Sequence, residues 1–342
     1  MRRFYGDGLS DAPRIVVLAN DALGNFFAVQ PLLQMLRHRY PAANIELWAG
    51  ERVAELAVRD AALSSFHLQY RPSTASVVRE LLSQEAPTDW VINVENSAWP
   101  MSLASILGSK DDAFITGPSL GTNGRGQFAF EADARGDLWR DTEWTSETLT
   151  EKYPFLESGF ISEIFCRQCR LAGPIPKAII ARDEPSLEVP DVLIATSASL
   201  PEKLWPVEKW LSLICQLAAE GNSIGLLGAA AAVQNAFWKG GSAEEELLAN
   251  SPLIDLRGLL TLPQVAGAIA KAKLIVTLDN GIMHLAATTS APTVALFRHG
   301  IHRLWCPPSK SVWPVVTMPN HPVADISAEA VWRAIAEGSP VG

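Results

Sequence analysis

The sequence predicts an α/β protein made of two Rossmann-like, doubly wound parallel-sheet domains facing a cleft. Three observations predict it. Short apolar runs alternate with helix-like stretches along most of the chain. The alternation occurs twice, on either side of a stretch holding Pro174, Pro176, Pro185 and Pro190. And the chain has 342 residues, long for one compact domain, so two is the natural expectation.

Taken in order, residues 14–19 (Arg-Ile-Val-Val-Leu-Ala) read as a first strand and Phe26 to Tyr40 as a helix, with apolar spacing at Val29, Leu32, Leu33 and Leu36. Pro31 inside that pattern predicts a kink or a later helix start. Asn44–Ala49 reads as a strand, Glu51–Val58 as a helix, and Asp89–Val94 and Ala113–Thr116 as further strands. Residues 117–145 are rich in Gly, Asp, Ser and Thr and read as one long loop, either functional or simply mobile. Residues 158–172 read as a helix, and 173–190 as the linker. The second block then runs through strands at Asp191–Thr196, Ser223–Gly228 and Leu253–Leu256, with helices at Val207–Ala219 and Leu262–Ala272. Ser327 to Glu337 suits a last helix with Ser327 as its N-cap. The predicted division is therefore 1–172, linker 173–190, 191–325, and a C-terminal helix and tail at 326–342.

The most informative segment is 273–287. Leu274, Ile275 and Val276 make a wholly apolar strand, as in a parallel sheet covered on both faces. It stops at Asp279-Asn280-Gly281, after which a helix carries His284 in its first turn. Pro292–Phe297 reads as the next strand. A helix start at the carboxyl end of such a strand offers N–H groups and a positive dipole end to an anion, most often a phosphate.

Bulk properties exclude several classes. A formal net charge of -9 argues against nucleic-acid binding, which needs a basic face. It equally weakens a strong electrostatic hold on an anionic membrane. No uninterrupted apolar run is long enough to span a bilayer, and Met1-Arg2-Arg3-Phe4 begins no signal peptide, so a cytoplasmic protein with at most peripheral contact at the inner membrane is expected. Cys166 and Cys169 form a lone C-x-x-C with no second pair at zinc-ribbon spacing, so they read as two thiols one turn apart on a helix, and no metal is expected.

Three blocks carry a family likeness: Leu23-Gly24-Asn25 followed by Pro31-Leu32-Leu33; Ser199-Leu-Pro-Glu-Lys203-Leu-Trp205-Pro206; and Asp279-Asn280-Gly281-Ile-Met-His284-Leu-Ala-Ala287. Their order and spacing, over roughly residues 14 to 308, resemble the family 9 glycosyltransferases, the ADP-heptose:lipopolysaccharide heptosyltransferases. The resemblance implies a GT-B fold with an acceptor-binding N-terminal domain and a nucleotide-sugar-binding C-terminal domain. It implies inverting transfer of a heptosyl or related sugar from an ADP-sugar substrate, with no cofactor, to a glycan or lipid-linked acceptor, normally the lipopolysaccharide inner core.

The resemblance also implies roles. Asp279, Asn280 and Gly281 fall where the diphosphate meets the helix. Asp279 is expected to face a sugar hydroxyl or to orient the loop, and His284 to contact a phosphate or hold the loop. Lys203 is the candidate cation for the departing ADP, since a fixed ammonium stabilises charge that develops there. Ser199 adds a hydroxyl, and Leu260 falls at the adenine pocket. Two positions depart from the pattern. An inverting enzyme needs a general base, and the acid expected after Leu-Gly is here Asn25. Asp21 and Glu95 are the candidates to stand in for it. The acid that often holds the ribose is also missing from Ala229-Ala-Ala-Ala-Val-Gln234, leaving Gln234 as a weak substitute. Two other readings stay open: a degenerate member that binds nucleotide or a partner without transfer, and a GT-B-type epimerase.

Overall fold

The computed structural model describes residues 1–338 except 72, 85, 231, 232 and 234–240. The chain divides into two compact units, Met1–Ile179 and Ile180–Gly342. The division falls inside the proline-bearing stretch.

The N-terminal unit is built on six parallel strands: β1 (Arg2–Arg3), β2 (Arg14–Leu18), β3 (Asn44–Ala49), β4 (Ser65–Leu68), β5 (Trp90–Asn93) and β6 (Phe114–Thr116). Their order is β1-β6-β5-β2-β3-β4. The chain leaves β2 towards β3 and β4, then returns to β5 on the other side. The reversal sets a topological switch point between β2 and β5, the place where open α/β sheets bind ligands. β2 is buried along its whole length, as the apolar run predicts for a strand covered on both faces.

Helix α1 (Leu23–Arg39) starts before the expected Phe26 and runs unbroken through Pro31. Proline removes one backbone donor there. The helix holds because every residue from Phe26 to Leu33 is buried, so packing outweighs the local penalty. Short helix α2 (Ala54–Ala57), then α3 (Thr74–Ser83) and α4 (Ala98–Asp111), complete the connections. The sequence reading did not separate β4, α3 and α4.

The stretch 117–145 is not one loop. It contains α5 (Ala134–Arg140), whose N-cap Asp133 accepts from the amides of Arg135 and Gly136. The segment before it is pinned by Arg3, whose guanidinium donates to the carbonyls of Gly117 (2.7 Å), Phe128 (2.7 Å) and Ala129 (2.8 Å). Burial lowers the Arg3 pKa to about 10. After α6 (Leu149–Lys152), α7 (Ile161–Gln168) packs on α1. Cys166, in α7, and Cys169, its C-cap, are buried free thiols, and burial pushes the Cys166 thiol up to about 12.

The C-terminal unit carries β7 (Val192–Ala195), β8 (Ile224–Leu226), β9 (Leu253–Asp255), β10 (Leu274–Leu278), β11 (Thr293–Phe297) and β12 (Val312–Val316), again all parallel. The order β12-β11-β10-β7-β8-β9 puts its switch point between β7 and β10. The helices are α8 (Val207–Ala219), α9 (Gly241–Asn250), α10 (Leu262–Lys271), α11 (Gly281–Ala287), α12 (Ile301–Trp305) and α13 (Ala328–Glu337). Trp210, Leu213, Ile214 and Leu217 of α8 pack with Val331 and Ala334 of α13 in the main core. Trp205 Nε1 donates to Ile326 O at 2.8 Å, and Lys209 Nζ to the same carbonyl at 2.9 Å. Trp205 thus fastens the C-terminal segment to the start of α8.

The residues after the division are stitched down. Asp183 N donates to Pro263 O at 3.0 Å, and Arg182 Nη2 to Thr288 O at 2.9 Å. Gly267 in α10 permits this approach, because a Cβ there would lie 1.9 Å from Asp183 O. Alanine normally stabilises a helix interior over glycine by about 1 kcal/mol. Here Gly267→Ala is expected to destabilise by about 1–3 kcal/mol, since the clashing atom is backbone. Urea unfolding checks this, and an unchanged or higher midpoint refutes it.

Candidate active site

At the carboxyl end of β10, Asn280 caps α11. Its Oδ1 accepts from Ile282 N (2.9 Å), Met283 N (3.2 Å) and the Thr277 hydroxyl (3.1 Å), and its Nδ2 donates to Ser197 O at 3.0 Å. Ser197 lies just beyond β7. One amide therefore closes the switch point by joining the two strand ends. It also corrects the simplest expectation for an anion at this helix: two first-turn N–H groups already serve the cap.

Lys203 ends a short 3-10 turn, Pro201–Lys203, in the connection after β7. Its Nζ lies 2.6 Å from Asp279 Oδ2 and 3.5 Å from Asp279 O. Both side chains are mostly buried. The contact at Oδ2 is an ion pair without hydrogen-bond alignment, so this buried oxygen has no hydrogen-bond partner among the described residues. Lys203 and Asp279, assigned separate tasks from sequence, are partners.

His284 is buried and meets Trp305 edge-on, with ring centroids 6.0 Å apart. Burial lowers its pKa to about 4, with Asp279 raising it and Lys203 lowering it. The imidazole is neutral near pH 7 and brings no charge to a phosphate. Ser199 is exposed in the turn before Pro201, while Leu260 is half-buried just before α10. Gln234 lies outside the described residues. Behind β7, Thr196 Oγ1 donates to fully buried Glu244 at 2.9 Å, and Glu244 lies 3.2 Å from Arg257. Nothing in the sequence marks Glu244 out, because it opens a run of three acids that looks like a solvated helix face.

The N-terminal switch point gathers a second set. Glu95, two residues past β5, accepts at Oε1 from Asn20 N (3.2 Å) and Asn25 Nδ2 (3.3 Å). Its loop is fixed by Asn93, which accepts from Glu95 N at 3.0 Å and donates to Pro118 O at 2.7 Å. Burial raises the Glu95 pKa, and the bonds from Asn25 and Asn20 only partly offset it. Tyr70 is raised to about 12 by burial, then by Glu95 and Asp21, so its phenol keeps its proton. Asp21 is committed elsewhere: its oxygens accept from Arg52 N (2.9 Å) and Arg52 Nε (2.7 Å). Gly50 makes room for it, since a Cβ there would lie 1.8 Å from Asp21 Oδ1. Asn20 and Tyr70 went unnoticed in the sequence, where neither stands in a recognisable spacing.

Two all-parallel units, each with polar side chains gathered at its switch point, define a GT-B-type α/β architecture. Comparison with solved structures agrees on the fold. The glycosyl transferase family 9 protein from Veillonella parvula superposes with a TM-score of 0.74 at 19% identity, covering 97% of this chain and 98% of that one. The Escherichia coli ADP-heptose lps heptosyltransferase II gives 0.67 at 21% identity, covering 95% and 98%. Residues 173–330 match the model of glycosyltransferase family 9 (heptosyltransferase). That stretch, which holds the Lys203 turn and the Asp279–His284 block, is what the chain shares with glycosyltransferase family 9.

Among curated relatives, the lipopolysaccharide heptosyltransferase 2 of Salmonella typhimurium is 33% identical over 138 residues, or 36% of this chain and 37% of that protein. The protein of the same name from Escherichia coli K12 is 36% identical over 103 residues, or 28% and 27%. The matched stretches thus span about a third of the length of these relatives.

Two outcomes follow for the site. Asn280→Ala should cost about 1–2 kcal/mol in stability by removing the α11 cap. Chemical denaturation measures it, and a change within error would show the cap to be dispensable. For Glu95 the folded-state pKa is raised, so folding favours the protonated form. The parent should lose stability as pH rises through that raised value. Glu95→Gln should remove this loss, so its unfolding midpoint relative to the parent should increase between acid and neutral pH. Parallel pH profiles of the two proteins would contradict it.

Proposed function

We propose that this protein is an inverting glycosyltransferase that moves a heptosyl or related sugar from an ADP-sugar to a glycan acceptor, most suitably the lipopolysaccharide inner core. The C-terminal unit takes the ADP-sugar at the Lys203–Asp279–Asn280 switch point, and the N-terminal unit takes the acceptor. The match of residues 173–330 to family 9 supports the reaction class, and the names of the similar heptosyltransferases support the sugar and the acceptor.

The observation that carries the catalytic reading is Glu95. It is a buried carboxylate whose affinity for a proton is raised, held by the amide of Asn25, the residue standing where the resemblance expects the base. In the proposed step Glu95 removes the acceptor hydroxyl proton. The acceptor oxygen attacks the anomeric carbon, the carbon–oxygen bond to the β-phosphate breaks, and ADP departs with that electron pair. A base with a raised pKa is better matched to neutral pH than an ordinary carboxylate. Asn25 becomes a positioning residue that aims Glu95. Asp21, tied to Arg52, is the lesser candidate.

This reading has the enzyme working in the cytoplasm with at most peripheral membrane contact. No helix among the described residues is long and apolar enough to cross a membrane. Asn25 in place of an acid also favours a second reading, a binder without turnover. Transfer assays with ADP-heptose and calorimetry with ADP separate the two. Glu95→Gln should lower turnover by about 10²–10⁴-fold with ADP affinity intact, while Asp21→Asn should keep most of the parent rate. Full turnover in Glu95→Gln would remove Glu95 from the mechanism. ADP binding by a parent protein that transfers nothing would favour the second reading.

A further inference from the structure

Among the described residues, the Lys203–Asp279 pair and His284 leave a diphosphate at the C-terminal switch point without a surplus cation. Lys203 is matched by Asp279 at 2.6 Å. His284 is buried beside them and meets an aromatic ring. An ion pair of this kind orients a ligand but offers no net positive charge.

A further cation stands at the end of the adjacent strand. β10 and β11 are paired in register, Leu278 opposite Leu296, and Asp279 N donates to Leu296 O at 3.2 Å. Arg298 is therefore the first residue beyond β11, directly beside the strand end that carries Asp279 and Asn280. Its Nη1 lies 3.5 Å from Oε1 of Glu202, Lys203's neighbour in the Pro201–Lys203 turn. Its Nε is buried and has no hydrogen-bond partner among the described residues. A buried guanidinium donor without an acceptor is costly to leave unmatched. Its backbone is fixed: Thr317 N donates to Phe297 O at 3.1 Å, His299 N to Thr317 Oγ1 at 3.1 Å, and the chain turns back at Gly300 with φ 78°. Glu202 is more exposed than Arg298 and holds it only at the limit of hydrogen-bond distance. An anionic ligand can displace so weak a partner.

We infer that Arg298 is the diphosphate-reading cation of this site, supplying a guanidinium fork to the nucleotide diphosphate while Glu202 occupies it in the free protein. This rests on the proposed ADP-sugar site. The planar fork suits paired phosphate oxygens in a way an ammonium does not.

Calorimetry of the full chain with ADP, AMP and adenosine tests it. Arg298→Gln should weaken ADP binding about tenfold or more, AMP less, and adenosine not at all, as expected for a lost charge-assisted bond. Thermal unfolding of the variant should match the parent, and Arg298→Lys should restore part of the affinity. Glu202→Gln, which keeps Arg298 and frees it, should tighten ADP binding. That variant keeps the inference testable if Arg298→Gln fails to fold. Parent-like ADP affinity in Arg298→Gln, with affinity lost in Lys203→Gln, overturns the inference and leaves the proposed site standing. So does intact ADP binding with a raised KM for a phosphorylated glycan, which would assign Arg298 to the acceptor. A parent chain that binds ADP no better than adenosine defeats both the inference and the reading beneath it.

Discussion

The C-terminal site depends on one primary amide. Asn280 caps α11, bonds the Thr277 hydroxyl and holds the Ser197 carbonyl. Those bonds fix the end of β10, the start of its helix and the loop leaving β7 as one rigid corner. Lys203 can meet Asp279 only because the two loops are held at this spacing. A serine or threonine could cap the helix, but a hydroxyl has a single proton and a shorter reach. The carboxamide is suited to act as acceptor for the helix and donor across the sheet together.

The N-terminal unit solves a related problem with different chemistry. Glu95 sits at the corresponding corner, between the ends of β2 and β5, and asparagines again do the holding. Asn93 fixes the loop that carries Glu95, Asn25 meets its carboxylate, and the Asn20 amide nitrogen adds a second donor. Burial pushes the carboxylate towards its protonated form, and the two donors restrain that push without cancelling it. The result is an acid whose proton affinity is set by geometry. Under the proposed function, a charge expected on α1 has moved to the facing strand end, and the residue left behind has become its tether.

Much of this was legible in the sequence wherever one signal dominated. Apolar runs located β2, β10 and β11, the helical spacing of Val207–Ala219 matched α8, and Ser327 announced its cap. What escaped depends on partners far apart in the chain. Pro31 looked like a break because the burial on both sides of it comes from tertiary packing. The 117–145 stretch looked like one loop because α5 is short, is started by Asp133 and lies behind a segment held by distant Arg3. Lys203 and Asp279 could each be singled out, but a sequence shows charges and not which ones meet. The same blindness left Glu95 and Asp21 as equal candidates until the structure gave Asp21 to Arg52 and Asn25 to Glu95.

The clamp of Trp205 and Lys209 on Ile326 has a consequence for synthesis. The turn bearing Lys203 emerges from the ribosome long before the carbonyl that anchors its neighbours does. Until that late segment appears, Trp205 lacks its acceptor and α8 lacks the cover of α13. The nascent C-terminal unit is thus left with uncovered apolar surface until α13 has been made, the interval in which a holding chaperone is most needed.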